Sequence, residues 1–152
     1  MGTDFRILGE LEVLHDEEVV DLGPPRQQAL LVRLLVSPNE IVTTDRLIDD
    51  LWDGDPPDTA RHGLHVYISR LRKALGSDRA RLQRQATGYR LSIDENELDA
   101  SRFEHLATKG RASLARDDPH TACLQLSEAL ALWRGPALAG FDDDTFARAA
   151  GQ

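Results

Sequence analysis

The sequence predicts an α+β fold in which a small antiparallel sheet, three helices and a β-hairpin precede an all-α segment of helical-repeat type. Three patterns favour it: apolar residues alternate with polar ones near the N-terminus, recur at helical spacing in the middle, and alternate again around a Thr-Gly turn before a last helical stretch. With 152 residues, 41% of them hydrophobic, the chain can bury a core.

The N-terminal segment predicts the sheet. Phe5 and Ile7, then Leu11 and Val13, alternate with polar residues, and a polar turn leads to a further apolar group over 19–22. We therefore expect a small antiparallel sheet over about residues 4–22.

Three helices are predicted next. The first opens at prolines 24–25, a favoured position for proline, and stops at the Ser-Pro pair 37–38. The second is N-capped by Thr43 or Thr44, whose hydroxyls can accept a hydrogen bond from the first turn. The third runs over about 57–75 and ends at a glycine.

A β-hairpin is expected over 81–91, with Gly88 supplying the turn. It completes a first domain over residues 1–95. A second domain over 96–152 follows a polar, acidic link.

Two helices are predicted in the second domain. Ser101 and Glu104 have capping-box spacing at the start of one, and the Asp-Pro pair 118–119 opens the other, which ends at the Gly-Pro pair 135–136. One such pair cannot bury both of its faces. The segment therefore either packs on the first domain or is an incomplete piece of something longer, and 147–152 resembles the start of another helix.

Charge is segregated along the chain. Residues 57–91 hold eight Arg and Lys against two Asp, a net charge of +6, whereas the whole chain carries −8. The third helix has no acidic residue over 60–77, and its polar face is positive where a solvated helix usually mixes signs. Such a face fits the major groove of DNA, since Arg can bind guanine and Lys can neutralise phosphate. The alternatives are a basic surface helix without a partner and one that binds an acidic protein.

Helix, helix and hairpin is the order of a winged helix, in which the hairpin is the wing. Wing-tip residues would reach the neighbouring minor groove. The residues that we expect to contact DNA are Arg61, His62, His65, Val66, Tyr67, Ser69, Arg70, Arg72, Lys73, Arg84, Gln85 and Arg90.

Other functional classes lack a signal. There is no phosphate-binding glycine loop, no dinucleotide motif and no nucleophile with a plausible base, and aspartates 142–144 are expected to be solvated, so we predict no enzyme and no cofactor. His62 and His65 are spaced like a metal pair but lack further ligands, so we predict no metal. Without a signal peptide or apolar span, and with Cys123 alone, a cytoplasmic protein is expected, with no membrane contact.

Several segments together resemble the Streptomyces antibiotic regulatory proteins, which activate transcription of secondary-metabolite gene clusters. Residues 70–75 and 87–90 are similar to the recognition helix and wing of OmpR-type winged-helix domains. Residues 5–9, 22–27, 45–52 and 65–72 narrow the resemblance to this family, and 99–103 and 132–138 resemble the start of its bacterial transcriptional activation domain.

The resemblance implies a four-stranded N-terminal sheet, three helices and a C-terminal wing. It implies that two copies bind side by side to direct repeats in promoter DNA and recruit the RNA polymerase holoenzyme. The loop between the second and third helices would face the polymerase through Trp52, Asp53, Gly54 and Asp55. Gln85 stands where relatives often have Arg, which implies weaker minor-groove recognition. The activation domain of the family continues beyond 152 residues, so a truncated chain is expected. A protein-interaction module that uses the C-terminal helices is the alternative function.

Overall fold

The structure is a computed structural model that describes residues 2–139; the predictions for 142–144 and 147–152 lie outside this range. Its strands are β1 (Thr3–Arg6), β2 (Glu12–His15), β3 (Glu18–Val19), β4 (Val42–Thr43), β5 (Leu82–Gln85) and β6 (Gly88–Leu91). Its helices are α1 (Pro25–Leu35), α2 (Thr44–Leu51), α3 (Ala60–Leu75), α4 (Asp99–Ala115) and α5 (Pro119–Ala131). Short 3-10 turns lie at Gly76–Arg81 and Glu95–Glu97.

The N-terminal sheet is antiparallel, as predicted, with the order β1-β2-β3. Phe5 lies opposite Val13, and both side chains are buried. The expectation of four strands is wrong for the described residues, where this sheet has three. The next short strand along the chain, β4, pairs with the wing instead, and the C-terminal part reaches the N-terminal segment through isolated parallel bridges.

The first three helices enclose the core. α1 begins at a proline, as predicted, and buries Leu30, Leu31, Leu34 and Leu35. α2 is capped by Thr43, whose Oγ1 accepts a hydrogen bond from the Arg46 N–H at 3.2 Å. α3 begins at Ala60 rather than near 57, since residues 55–59 form an exposed loop and turn before it. Each fully buried Leu contributes about 1.5–3 kcal/mol relative to an exposed one, so this packing fixes how α3 is presented.

β4, β6 and β5 form the wing sheet, in that order. The prediction that Gly88 supplies the hairpin turn is wrong, because Gly88 lies in β6. The positive φ in the turn belongs to Ala86 (49°). A Cβ on Gly88 would lie 2.0 Å from the carbonyl oxygen of Val42. Glycine is therefore required there because β4 and β6 approach closely.

The C-terminal part is a hairpin of two helices. Ser101 and Glu104 do not cap α4, which begins at Asp99; the capping box is instead formed by Asp94 and Glu97, in the 3-10 turn before it. α5 begins as predicted, with the Asp118 side chain accepting a hydrogen bond from the Thr121 N–H. It ends at Ala131 rather than at the Gly-Pro pair 135–136.

Polar contacts join the C-terminal part to the N-terminal sheet; we call this region the junction. The buried carboxylate of Asp99 accepts hydrogen bonds from the N–H groups of Ile7 and Leu8, each at 2.9 Å. The Arg102 guanidinium lies 3.0 Å from the carboxylate of Asp4. These contacts show that the described part of this segment packs on the first domain, which was one of the two expectations.

The junction also includes the base of the wing and a returning C-terminal segment. Arg81, just before β5, forms a two-point pair with the carboxylate of Glu97, both contacts at 2.6 Å. These hydrogen bonds raise the pKa of Arg81 against the opposing effect of burial. Arg134 donates to the Glu10 carbonyl at 2.8 Å, and the Leu138 N–H donates to the Ile7 carbonyl at 2.8 Å.

Candidate nucleic-acid interface

α3 has one buried side and one exposed, basic side. Ala60, Leu64, Ile68, Leu71 and Leu75 are buried against the core, as their helical spacing predicts. The opposite side carries the exposed residues of the predicted contact set: Arg61, His62, His65, Ser69, Arg70 and Lys73. Val66 is half-buried at the edge of this side.

Three cations of this surface have free donors. Arg70 and Lys73 on α3 and Arg84 on the wing are exposed, and none has a carboxylate within ion-pair distance among residues 2–139. Guanidinium and ammonium groups without internal partners are available to phosphates or to base edges.

Two residues of the predicted set have structural contacts instead. The Arg72 Nε donates to the Leu82 carbonyl at 2.9 Å, which ties α3 to the first wing strand. The Tyr67 ring packs on Trp52, with the ring centroids 6.4 Å apart. Spacing along a helix could not show either contact, because both partners come from other elements.

His65 links α3 to the second wing strand. Its Nδ1 lies 3.2 Å from the hydroxyl of Tyr89, a residue that is itself buried. The ring is exposed, so it can both support the wing and face a ligand. The wing and α3 are therefore held as one surface.

The remaining wing residues of the predicted set differ in exposure. Arg84 is exposed, whereas Gln85 is half-buried and donates to the Gln83 side chain at 3.1 Å. Arg90 is half-buried, and its Nε is buried without an acceptor among the described residues. Of these three side chains, Arg84 is the most accessible to DNA.

A cleft of about 410 Å³ lies where α2, α3 and the wing turn meet. The Thr44 N–H donates to the Thr87 carbonyl at 3.0 Å and so joins the start of α2 to the wing turn. Two residues of the lining, Arg61 and Arg84, belong to the predicted DNA contacts. The others were not predicted, because only the tertiary fold brings them there: Thr43, Thr44, Asp45, Ala86 and Thr87. Asp45 lies 2.9 Å from Arg61.

The loop between α2 and α3 is a tight turn. Asp53 and Gly54 have positive φ values of 51° and 82°, and the Asp55 N–H donates to the Trp52 carbonyl at 3.0 Å. Asp53, Gly54 and Asp55 are exposed. Trp52 is half-buried, and the Arg26 guanidinium lies 5.1 Å from its ring centroid. This packing attaches the start of the loop to the rest of the fold.

Asp78 anchors the end of α3 to the N-terminal sheet. Its carboxylate accepts hydrogen bonds from Thr3 and from the Arg81 Nε and lies 3.1 Å from the His15 Nδ1. Burial raises the pKa of Asp78, but hydrogen bonds from Thr3 and Arg81, together with the charges of Arg81 and His15, outweigh this effect. The pKa is therefore held below its ordinary value.

Neither a metal centre nor a membrane-spanning helix is present in the part of the chain that the structure describes. Residues 2–139 contain no group of three or more His, Cys, Asp or Glu side chains placed to hold a metal ion. No helix in this range has the length and apolar character needed to cross a bilayer.

The two halves of the chain match two family models. Residues 17–91 match "Transcriptional regulatory protein, C terminal", and residues 98–152 match "Bacterial transcriptional activator domain". This order, with the fold described above, defines a winged-helix transcriptional regulator.

The relatives narrow this class. The chain is 40% identical over 147 residues to the transcriptional regulatory protein EmbR of Mycobacterium tuberculosis, covering 94% of this chain and 38% of that protein. It is 36% identical to the regulatory protein AfsR of Streptomyces coelicolor (90% of this chain, 14% of that one) and 32% identical to the transcriptional regulator RedD of the same species (90% and 40%). The chain belongs to the Streptomyces antibiotic regulatory protein family.

A solved structure has the same fold. It is that of Mycobacterium tuberculosis EmbR in complex with a low affinity phosphopeptide, with a TM-score of 0.92 and 39% identity over 97% of this chain and 40% of that one. The present chain thus spans well under half the length of these relatives, which are regulators rather than enzymes.

Proposed function

We propose that residues 1–95 bind promoter DNA, with the exposed side of α3 in the major groove and the wing over the neighbouring minor groove. The observation that carries this proposal is the contrast between the two sides of α3. One side is buried, and the other presents Arg70 and Lys73 without carboxylate partners among residues 2–139. A helix held in this way can enter a major groove with its donors available to bases and phosphates.

We further propose that two copies bind side by side on direct repeats and that residues 96–152 begin a transcriptional activation domain. The proposed protein partner is the RNA polymerase holoenzyme, and the proposed target is the promoter of a secondary-metabolite gene cluster. The protein would act in the cytoplasm, in association with the nucleoid. The family membership supports this proposal. The similarity to AfsR and RedD of Streptomyces coelicolor favours the secondary-metabolite target.

The experiment that tests DNA binding is selection from a pool of random duplexes, followed by titration at two salt concentrations. The logarithm of the affinity falls linearly with the logarithm of the salt concentration, and each phosphate contact makes this slope steeper. We expect enrichment of a repeated motif and a steep salt dependence, and the repeat spacing then gives the arrangement of the two copies. Absence of enrichment together with a flat salt dependence contradicts the proposal.

The loop of Trp52, Asp53, Gly54 and Asp55 is the proposed polymerase contact. Its exposed carboxylates suit a basic protein surface, and the half-buried Trp52 holds it in place. We expect Asp55→Ala to reduce activated transcription in vitro while leaving the affinity for the selected duplex unchanged. Equal activation by the variant and the parent would remove Asp55 from this role.

One observation favours a protein-interaction function for the C-terminal helices. Leu114, Leu124 and Leu130 are exposed by 53%, 57% and 67%, so these two helices offer apolar side chains that a protein partner could cover. This second function is compatible with DNA binding by the first domain. It becomes the leading candidate if the duplex selection fails.

A further inference from the structure

A carboxylate lies within the cationic cleft between α2, α3 and the wing. Asp45, in the first turn of α2, is the acidic member of a described lining that also contains Arg61, Arg84 and three threonines. Its Oδ1 is 2.9 Å from the Arg61 Nη2, and the two side chains are 84% and 73% exposed. An acidic residue in a surface meant for a polyanion requires an explanation.

Stability provides this explanation only in part, since the helix dipole favours an acidic residue in the first turn of α2 but acts weakly on a side chain that is so exposed. An ion pair between two side chains that are so exposed contributes little to folding. The N-cap of α2 is already supplied by the Thr43 hydroxyl, which accepts a hydrogen bond from the Arg46 N–H. The effect of Asp45 is therefore to be sought in the bound state.

The ion pair changes the availability of Arg61. Arg84 has no carboxylate partner among residues 2–139, whereas Arg61 is already held by Asp45. A phosphate that enters the cleft must compete with this carboxylate for the Arg61 guanidinium. On unrelated DNA, where binding depends almost entirely on phosphate contacts, Arg61 must leave Asp45 to reach a phosphate. At an operator, base contacts fix the position of α3, so that Arg61 can stay on Asp45 and the cost of breaking the pair does not arise.

We propose that Asp45 is a specificity-determining residue: its pair with Arg61 is broken on unrelated duplexes and kept on the operator, so that Asp45 weakens binding to unrelated duplexes more than binding to the operator. This inference rests on the proposed DNA-binding function. It adds to that function a residue that opposes binding rather than one that supports it.

The test compares Asp45→Asn with the parent on the selected duplex and on an unrelated duplex of equal length, at low salt. We expect the affinity for the unrelated duplex to rise about fivefold and that for the selected duplex to rise less than about twofold. Asp45→Ser serves as a second neutral variant, and unfolding midpoints verify that both variants are folded. The matched control is Glu18→Gln, which makes the same change of charge at an exposed position on β3 in the other sheet.

The Arg61→Ala background tests whether Asp45 acts through Arg61. If Asp45 acts by holding Arg61, the gain from Asp45→Asn disappears when Arg61 is absent. The inference is overturned if Asp45→Asn matches Glu18→Gln on both duplexes, if the ratio of the two affinities does not change, or if the gain persists unchanged in Arg61→Ala. These outcomes leave the proposed function intact, since they require a parent protein that binds DNA. A parent that binds no duplex overturns both.

Discussion

Arginines have different roles at the junction and on the DNA-facing surface. At the junction, Arg81, Arg102 and Arg134 each contact at least one carboxylate and a backbone carbonyl. On the outer side of α3 and the wing, Arg70 and Arg84 have no carboxylate partner among residues 2–139. The same side chain thus supports the fold where its donors are paired and is available to a ligand where they are not. Donor pairing thus distinguishes the arginines of the junction from Arg70 and Arg84.

The largest effect is expected at the junction, from Asp99→Ala. The change leaves the buried N–H groups of Ile7 and Leu8 without their acceptor, which costs about 2–5 kcal/mol of unfolding free energy. Urea unfolding followed by circular dichroism measures it. Glu128→Ala, at an exposed position of α5, is the control and should change stability by less than about 0.5 kcal/mol. A loss no larger than that of the control would show that the junction does not depend on this carboxylate.

Gly88→Ala tests whether the DNA-facing surface depends on the packing beneath it. The new Cβ would lie 2.0 Å from the Val42 carbonyl oxygen, so β4 and β6 must separate. We expect a loss of about 1–3 kcal/mol in stability and weaker binding to the selected duplex, because the wing shifts. Gly135→Ala, where the added Cβ meets no heavy atom of the described residues within 4 Å, is the control for both measurements. Unchanged stability would mean that the two strands do not approach as closely as described.

Arg70→Ala tests the DNA-facing surface, the second of the two regions compared. Because Arg70 is exposed and has no carboxylate partner among residues 2–139, its removal should leave stability unchanged. Binding to the selected duplex should weaken by about 1–3 kcal/mol, with relaxed specificity at one base position. Lys73→Ala is the companion variant, expected to weaken all duplexes similarly and to lower the salt dependence. If both variants produce the same small loss on every duplex, Arg70 does not read a base.

The smallest effect is expected from Asp78→Asn, and it depends on pH. Because the pKa of Asp78 in the folded protein lies below its ordinary value, its carboxylate stabilises the fold above the unfolded pKa of about 3.9, and this contribution is lost as the pH falls through the lower folded value. At neutral pH the variant should lose about 1–2 kcal/mol of unfolding free energy. The difference from the parent should shrink below about pH 4. A difference that is constant from pH 7 to pH 3 would contradict this role.

Local signals in the sequence predicted the exposed side of α3, a threonine cap at 43 or 44 and the start of α5 at Asp118 correctly, because each depends on residues within a few positions of one another. Long-range contacts were not predictable in this way. Asp99 is paired with backbone groups 91 and 92 residues away, which leave no mark on its neighbours in sequence.

For some residues the sequence indicates the right position but the wrong role, because contacts from other elements decide that role. The sequence indicates correctly that position 88 needs a glycine, but the reason is the close approach of β4 and not the geometry of the turn. Arg72 has the right phase for the basic side of α3, yet a wing carbonyl takes its Nε donor. Asp45 was missed because its position beside Arg61 arises only when α2 packs against α3.

The returning segment 134–139 has a consequence for the order in which the protein is made. Its backbone contacts the N-terminal segment, with the Leu138 N–H on the Ile7 carbonyl and the Ala139 N–H on the Gly9 carbonyl. A ribosome therefore releases the connection between β1 and β2 long before its last partners emerge. During that interval this connection offers unpaired carbonyl groups to any neighbouring chain. The connection thus receives its last hydrogen bonds from residues synthesised more than a hundred positions later.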